Sequence, residues 1–172
     1  SWSGADAPVV FAEIYDGEIY DGAKEIKGWS EAGCTAGQWK PVRKLDYDFS
    51  VLTGQGSGKV SLMDEVKPKE IFETPEGDLV IDFGQNMSAL IQVTATGKKG
   101  DVIRLDCFEV LDSKGNVYLD NLRGAKESLQ YTFGEDGTIT YRPSFTFMGF
   151  RYAKIVSFPG TPEPGNFIAH AI

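Results

Sequence analysis

Histidine is nearly missing from this chain: His170 is the only one in 172 residues, and cysteine occurs only at Cys34 and Cys107. A Ser-His-Asp or Cys-His mechanism would have to use His170, which lies in an apparent terminal strand with Phe167 and Ile168 and has no nucleophile elbow beside it. Zinc chemistry needs several His or Cys ligands and fails on the same count. With no Cys-x-x-Cys spacing, the two thiols make neither a metal site nor a disulfide scaffold, and Cys107 reads as a half-buried thiol in the alternating run Val102–Phe108. Basic residues are also scarce. Seventeen Lys and Arg stand against 25 Asp and Glu, a net charge of −8 with no basic cluster, which argues against nucleic acid or an anionic membrane as partner. No run approaches the roughly 20 apolar residues of a membrane span. No secretory signal is visible and Ser1-Trp2 does not look like a natural start, so the compartment stays open.

What is abundant is glycine, at 20 residues, and aromatic side chains, at 12% of a chain that is 41% hydrophobic. That mixture suits strands joined by tight turns. Val9–Tyr15 reads as a strand, followed by an acidic, tyrosine-rich stretch whose two Asp-Gly steps favour turns. Gly54-Gln-Gly-Ser-Gly58 is a flexible break, and a soft boundary falls there or upstream. Beyond it the pattern becomes regular. Ile71-Phe-Glu-Thr, the turn Pro75-Glu-Gly-Asp78 and Leu79–Phe83 predict a hairpin, and Ala89–Thr96, Val102–Phe108, Ser128–Phe133 and Thr138–Tyr141 continue the series. Pro143-Ser-Phe-Thr-Phe-Met-Gly-Phe-Arg-Tyr152 alternates aromatics with small or polar residues and predicts a two-faced strand. Only Leu119–Glu127 is compatible with a helix, and Gly124 weakens it. Eight to ten short strands at this spacing predict an all-β fold, an antiparallel β-sandwich or jelly roll, over residues 46–172. Residues 1–45 read as the tail of a preceding β domain or as a packing arm.

The carboxylates offer no selected catalytic pair. Hydrolysis of a glycoside needs two acids facing each other across the sugar, and nothing in the spacing picks two from Glu18, Asp21, Asp82 and Glu109. Asp82-Phe-Gly-Gln-Asn86 puts an acid, a glycine and the amides Gln85 and Asn86 directly after an apolar strand, a grouping that can satisfy a loop's backbone or meet a sugar hydroxyl. Arg151, among aromatics, is expected to pair with Asp82 or Glu109, and Arg123 is the other isolated guanidinium of interest. Tyr15, Asp16, Glu18, Tyr20 and Asp21 combine ring faces with carboxylates, which suits a sugar or calcium surface as well as a solvated turn.

Six segments in order carry a resemblance. They are Trp39-Lys-Pro-Val42, Ile71–Asp78, Asp82-Phe-Gly-Gln-Asn-Met87, Glu109–Asn116, Asn121-Leu-Arg-Gly-Ala-Lys126 and Pro143–Tyr152, with a reach back to Ile14–Asp21 and Gly28-Trp29. Together they resemble the bacterial α-L-rhamnosidases of glycoside hydrolase family 78, over the β-sandwich that precedes the catalytic barrel. The resemblance implies a concanavalin-like or galactose-binding-like sandwich and a parent enzyme that cleaves terminal α-L-rhamnosides with inversion, using acids on an (α/α)6 barrel. It passes no catalytic role to any residue here. Its implied partner is that barrel in the same polypeptide, with Asp82, Gln85, Asn86, Arg123, Phe145, Phe147, Phe150 and Arg151 as structural or interface residues. Some members carry an upstream calcium-dependent rhamnose-binding sandwich, whose ligands find no counterpart residue by residue, so carbohydrate binding enters only as the alternative and no cofactor is assigned. Met87-Ser-Ala89 departs from the glycine common after the Gln-Asn pair.

Overall fold

A computed structural model of the chain describes residues 2–54, 56 and 58–172; Gln55 and Ser57 of the expected glycine-rich break lie outside them. The strands in chain order are β1 (Ser3–Gly4), β2 (Val9–Glu13), β3 (Gly17–Asp21), β4 (Lys40–Pro41), β5 (Asp64–Val66), β6 (Glu70–Glu73), β7 (Leu79–Gly97) and β8 (Val102–Phe108). They continue with β9 (Val110–Leu111), β10 (Val117–Tyr118), β11 (Ser128–Thr132), β12 (Gly137–Tyr141), β13 (Met148–Ser157) and β14 (Phe167–Ala171). The main sheet runs β2-β3-β11-β8-β13-β7-β14-β5, with β6 and β12 also paired to β7. It is a curled β-sandwich, as its aromatic and glycine content led us to expect.

The 19-residue β7 makes the curl. Its first part pairs with β6 and with the later residues of β13, whereas from Ala89 it pairs with β14 and then β12. Gly84 at φ +81° and the exposed run to Asn86 mark the bend between the two parts. Beyond the bend, Ala89, Ile91, Val93 and Ala95 alternate into the core. Ile103, Leu105 and Cys107 of β8 meet them with Leu129 and Tyr131 of β11 and Met148 and Phe150 of β13. Val80, Phe108 and Tyr152 point the other way and form a second, smaller core, the last two rings stacking at 5.3 Å.

The amino-terminal hairpin belongs to this sheet. β3 pairs in parallel with β11, Gly17 opposite Ser128, so the acidic stretch expected as solvated turns is a strand over Gly17–Asp21, with turns kept at Tyr15–Asp16 before it and from Gly22 after it. Gly17 permits the approach: it has φ +100°, and a Cβ there would stand 1.8 Å from the carbonyl oxygen of Ser128.

Two further expectations change. Leu119–Glu127 is no helix but a single 3-10 turn at Asp120–Leu122, followed by Arg123 and Glu127 at φ 58° and 45°. Glu127 cannot continue a helix because its N–H donates to the Tyr15 carbonyl and its own carbonyl accepts from Cys107. Likewise Pro143–Tyr152 is not one strand, since β13 begins only at Met148. The carboxylate of Glu18 takes the N–H groups of Ser144 and Phe145, which removes them from any ladder. Phe150 is buried, but Phe145 is 68% exposed and Phe147 lies at the surface, so neither packs the sandwich.

Candidate functional site

The five residues at 15–21 do not converge. β3 turns Glu18 into the interior, where Oε1 accepts from the Tyr141 hydroxyl at 2.6 Å and Oε2 from the N–H groups of Ser144 and Phe145 at 3.0 and 2.9 Å. Burial first, then that carboxylate, pushes the Tyr141 phenol well above its ordinary range. Asp16 pairs with Lys126 at 2.7 Å, a bond that lowers its carboxyl. Asp21 accepts the N–H of Ala23 and caps the turn after β3. Tyr20 stacks on Tyr131 at 5.3 Å and donates its hydroxyl to Glu25 at 2.7 Å, and burial together with Glu25 raises its phenol. Only Tyr15 projects openly into solvent. Four of the five polar ends are therefore occupied by the protein itself, and among the described residues no three His, Cys, Asp or Glu side chains are grouped as metal ligands.

At the bend of β7, Arg151 grips Asp82 with two parallel bonds of 2.9 Å, and Asp82 Oδ1 also accepts the N–H of Gly84 at 2.6 Å. The guanidinium lies 4.8 Å above the Tyr152 ring. These bonds hold the Asp82 carboxyl below its ordinary range against the opposing effect of burial, and Asp82 in turn raises Arg151. Asn86 and Asn121 clamp Glu109 from two sides, their amides donating to Oε1 at 3.1 Å and Oε2 at 2.8 Å. Gln85 and Arg123 are exposed near these two loops.

One titratable group escapes any reading of the sequence. Glu127 Oε2 is shut off from solvent with no hydrogen-bond partner, and burial, followed by the charge of Glu109, pushes the carboxyl up from 4.5 to about 7. No local pattern announces it, because the perturbation comes from chain 18 residues upstream and from the sheet above. The remaining reactive groups are quiet. Burial raises the Cys107 thiol, and His170 is buried at 3.2 Å from the Gln92 amide oxygen.

Two clefts among the described residues share Tyr20 and Glu25. One, of about 620 Å³, is lined by Trp29, Trp39, Ile26, Pro8 and those two residues. The other, of about 510 Å³, is more polar and includes Tyr131, Tyr141, Lys27 and Glu135. Trp29 and Trp39, ten residues apart, share this cleft with the 5–8 segment, a proximity that no local sequence pattern announces.

Comparison with known proteins places this architecture. Residues 72–172 match the bacterial α-L-rhamnosidase concanavalin-like domain, and residues 1–64 match the α-L-rhamnosidase N-terminal domain. An α-L-rhamnosidase from Streptomyces avermitilis is 38% identical over 163 residues, covering 94% of this chain and 16% of that protein. One from Formosa agariphila is 25% identical over 168 residues, covering 95% of this chain and 18% of that one. The crystal structure of the Streptomyces avermitilis enzyme complexed with L-rhamnose superposes with a TM-score of 0.88 at 36% identity, over 97% of this chain and 16% of that chain. The native enzyme from Aspergillus terreus superposes at 0.87 with 32% identity, over 99% of this chain and 20% of that chain. The chain thus spans a fifth or less of the length of these relatives. By sequence and fold together, it belongs to the bacterial α-L-rhamnosidase concanavalin-like domain family.

Proposed function

We propose that the chain is a non-catalytic β domain of a larger, inverting α-L-rhamnosidase, where it braces the (α/α)6 barrel that carries the chemistry and shapes the approach to the substrate cleft. On this reading residues 46–172 are the sandwich and residues 1–45 an arm from the domain upstream, held in register by β3. The observation that carries it is the employment of the fold's inner acids. Asp82 is bound by Arg151 and Gly84, and Glu18 by Tyr141, Ser144 and Phe145. An inverting hydrolase needs one acid free to give a proton and a second free to activate water. Groups immobilised by two or three donors inside a sheet serve instead to lock it. The test is hydrolysis of an aryl α-L-rhamnoside by the purified 172-residue chain and by the intact gene product. Turnover is expected only from the second, and turnover by the chain alone that survives rigorous purification overturns the reading.

Carbohydrate binding is the second reading, favoured by one observation: two tryptophans, a tyrosine and a carboxylate line a cleft of sugar size, about 620 Å³. Ring faces with one or two polar groups are the usual furniture of such sites. Calorimetry with L-rhamnose, with and without calcium, separates the readings. Saturable heat lost in Trp29→Ala supports binding, and none at millimolar sugar leaves the brace alone.

A further inference from the structure

Residues Leu45–Leu52 and Val60–Met63 form a strap fixed at both ends and unpacked between them. At the first end β4 pairs with β1, and the Val42 N–H donates to the Trp2 carbonyl at 3.4 Å. At the second, β5 pairs with β14, and the Met63 N–H donates to the Ala171 carbonyl at 2.8 Å. Between the anchors Leu45, Tyr47, Phe49, Val51, Leu52 and Val60 are 61–72% exposed, and none belongs to either core. The strap nevertheless keeps a local shape. Asp48 accepts the N–H and the hydroxyl of Ser50 at 2.9 and 2.8 Å, which caps a 3-10 turn at Phe49–Val51, and the rings of Tyr47 and Phe49 meet edge-on at 5.7 Å.

A capped turn that displays several large apolar side chains to water reads as half of an interface. Six such side chains, at about 100 Å² each against the 150–250 Å² that a buried aromatic covers, expose about 600 Å², the lower end of the range for contacts between domains of one chain. The second anchor indicates what covers it. Asp64 lies opposite Ala171 in the ladder, and the N–H of Ile172 donates to the Ser88 carbonyl, so the end of β14 sits at the foot of the strap. In the relatives the matched stretch is only 16–18% of the polypeptide. Chain that continues past β14 in an intact protein therefore leaves the fold beside Met63.

We propose that this strap is the docking surface for the polypeptide that follows β14 in the intact protein, its exposed apolar side chains seating that part against the sandwich. The inference rests on the bracing role above and assigns it a contact. Hydrogen exchange read by mass spectrometry on peptides spanning 45–52 and 60–63, in the 172-residue chain and in the intact gene product, tests it. Exchange about tenfold or more slower in the intact product is expected, since docking closes an otherwise open segment. Equal exchange in both overturns the proposal, and protection that grows with concentration in the short chain overturns it in favour of a second copy. A double variant, Phe49→Asp with Leu52→Asp, should leave the thermal midpoint of the 172-residue chain unchanged and lower that of the intact protein; a fall in the short chain shows that the strap packs on its own domain and also refutes it. If exchange is equal in both forms while the intact enzyme still needs this domain for activity, the brace stands and the strap is not its contact.

Discussion

Glu127 provides a sharp test of the electrostatics inside this domain. The unfolded chain releases its proton near 4.5 and the folded chain near 7, so between those values the unfolded state binds fewer protons than the native one. Stability from this group is fully present below pH 4.5 and is lost as pH rises through 7. At 1.36 kcal/mol for each pH step of separation, the ceiling is about 3 kcal/mol. Glu127 is partly exposed, and solvent screening reduces that to about 1–2 kcal/mol. Replacing it with glutamine removes the ionisation while keeping the backbone at φ 45°.

Urea unfolding of the wild-type chain and Glu127→Gln at pH 4.5, 6 and 8 reads the effect. The variant should gain about 1–2 kcal/mol on wild type between pH 4.5 and pH 8, which for a domain of this size moves the thermal midpoint by about 3–6 °C. The change across pH is the decisive quantity, because the amide brings its own buried donor and adds a cost that does not vary with pH. Carbon NMR of the Glu127 carboxyl should show its titration near 7. A stability difference that is flat from pH 4.5 to 8, or a titration near 4.5, refutes the reasoning.

Two further predictions probe what holds the sheet. Arg151→Met strands Asp82, whose side chain is 5% exposed, with only the Gly84 N–H; the expected loss is about 2–3 kcal/mol at pH 7 by urea unfolding, discounted because the arginine itself is 36% exposed. Because Asp82 is held below its ordinary value, the stability it contributes is present above pH 3.8 and fades as pH falls through its folded value, so the variant should also blunt the acid sensitivity; a loss under 0.5 kcal/mol, on the order of a surface change, rejects the pair as structural. Gly17→Ala should cost about 3–5 kcal/mol and release the amino-terminal hairpin, whereas Gly77→Ala, at φ +88° but with open space around it, should cost about 1 kcal/mol; equal costs would mean that β3 does not lie against β11 as described.

What the sequence conveyed was local, and what it concealed was long-range. Val102–Phe108 and Ala89–Thr96 carry their period in their own residues, and both are strands. Pro75–Asp78 similarly specifies its turn, closed by the N–H of Thr74 on the Asp78 carbonyl. Arg151 could be given a carboxylate partner, Asp82 or Glu109, on chemical grounds because a guanidinium among aromatics needs one within the sheet, and the fold selects Asp82. β3 could not be read. Its two Asp-Gly steps do mark the turns at either end, but the residues between them are held extended by β2 on one side and by a partner strand more than a hundred residues away on the other. The burial of Glu18 depends on Tyr141, 123 residues distant, and on the loop after it. The same loop explains Phe145 and Phe147: their alternation is that of a strand, but a remote carboxylate claims the backbone donors that a strand would use.

The distribution of proton affinities bears on where catalysis resides in such an enzyme. A general acid must keep its proton near neutral pH and stand open to the leaving group. Asp82, held low by a guanidinium, has the wrong proton affinity for that task, and Glu18 has no oxygen to spare. Glu127 has a suitable affinity, but its free oxygen is sealed off and both its backbone groups are bonded to Tyr15 and Cys107. In these three acids affinity and access are thus separated. The proposed function therefore predicts that the acid and base lie on another part of the chain, with the bracing role the one left to the sandwich.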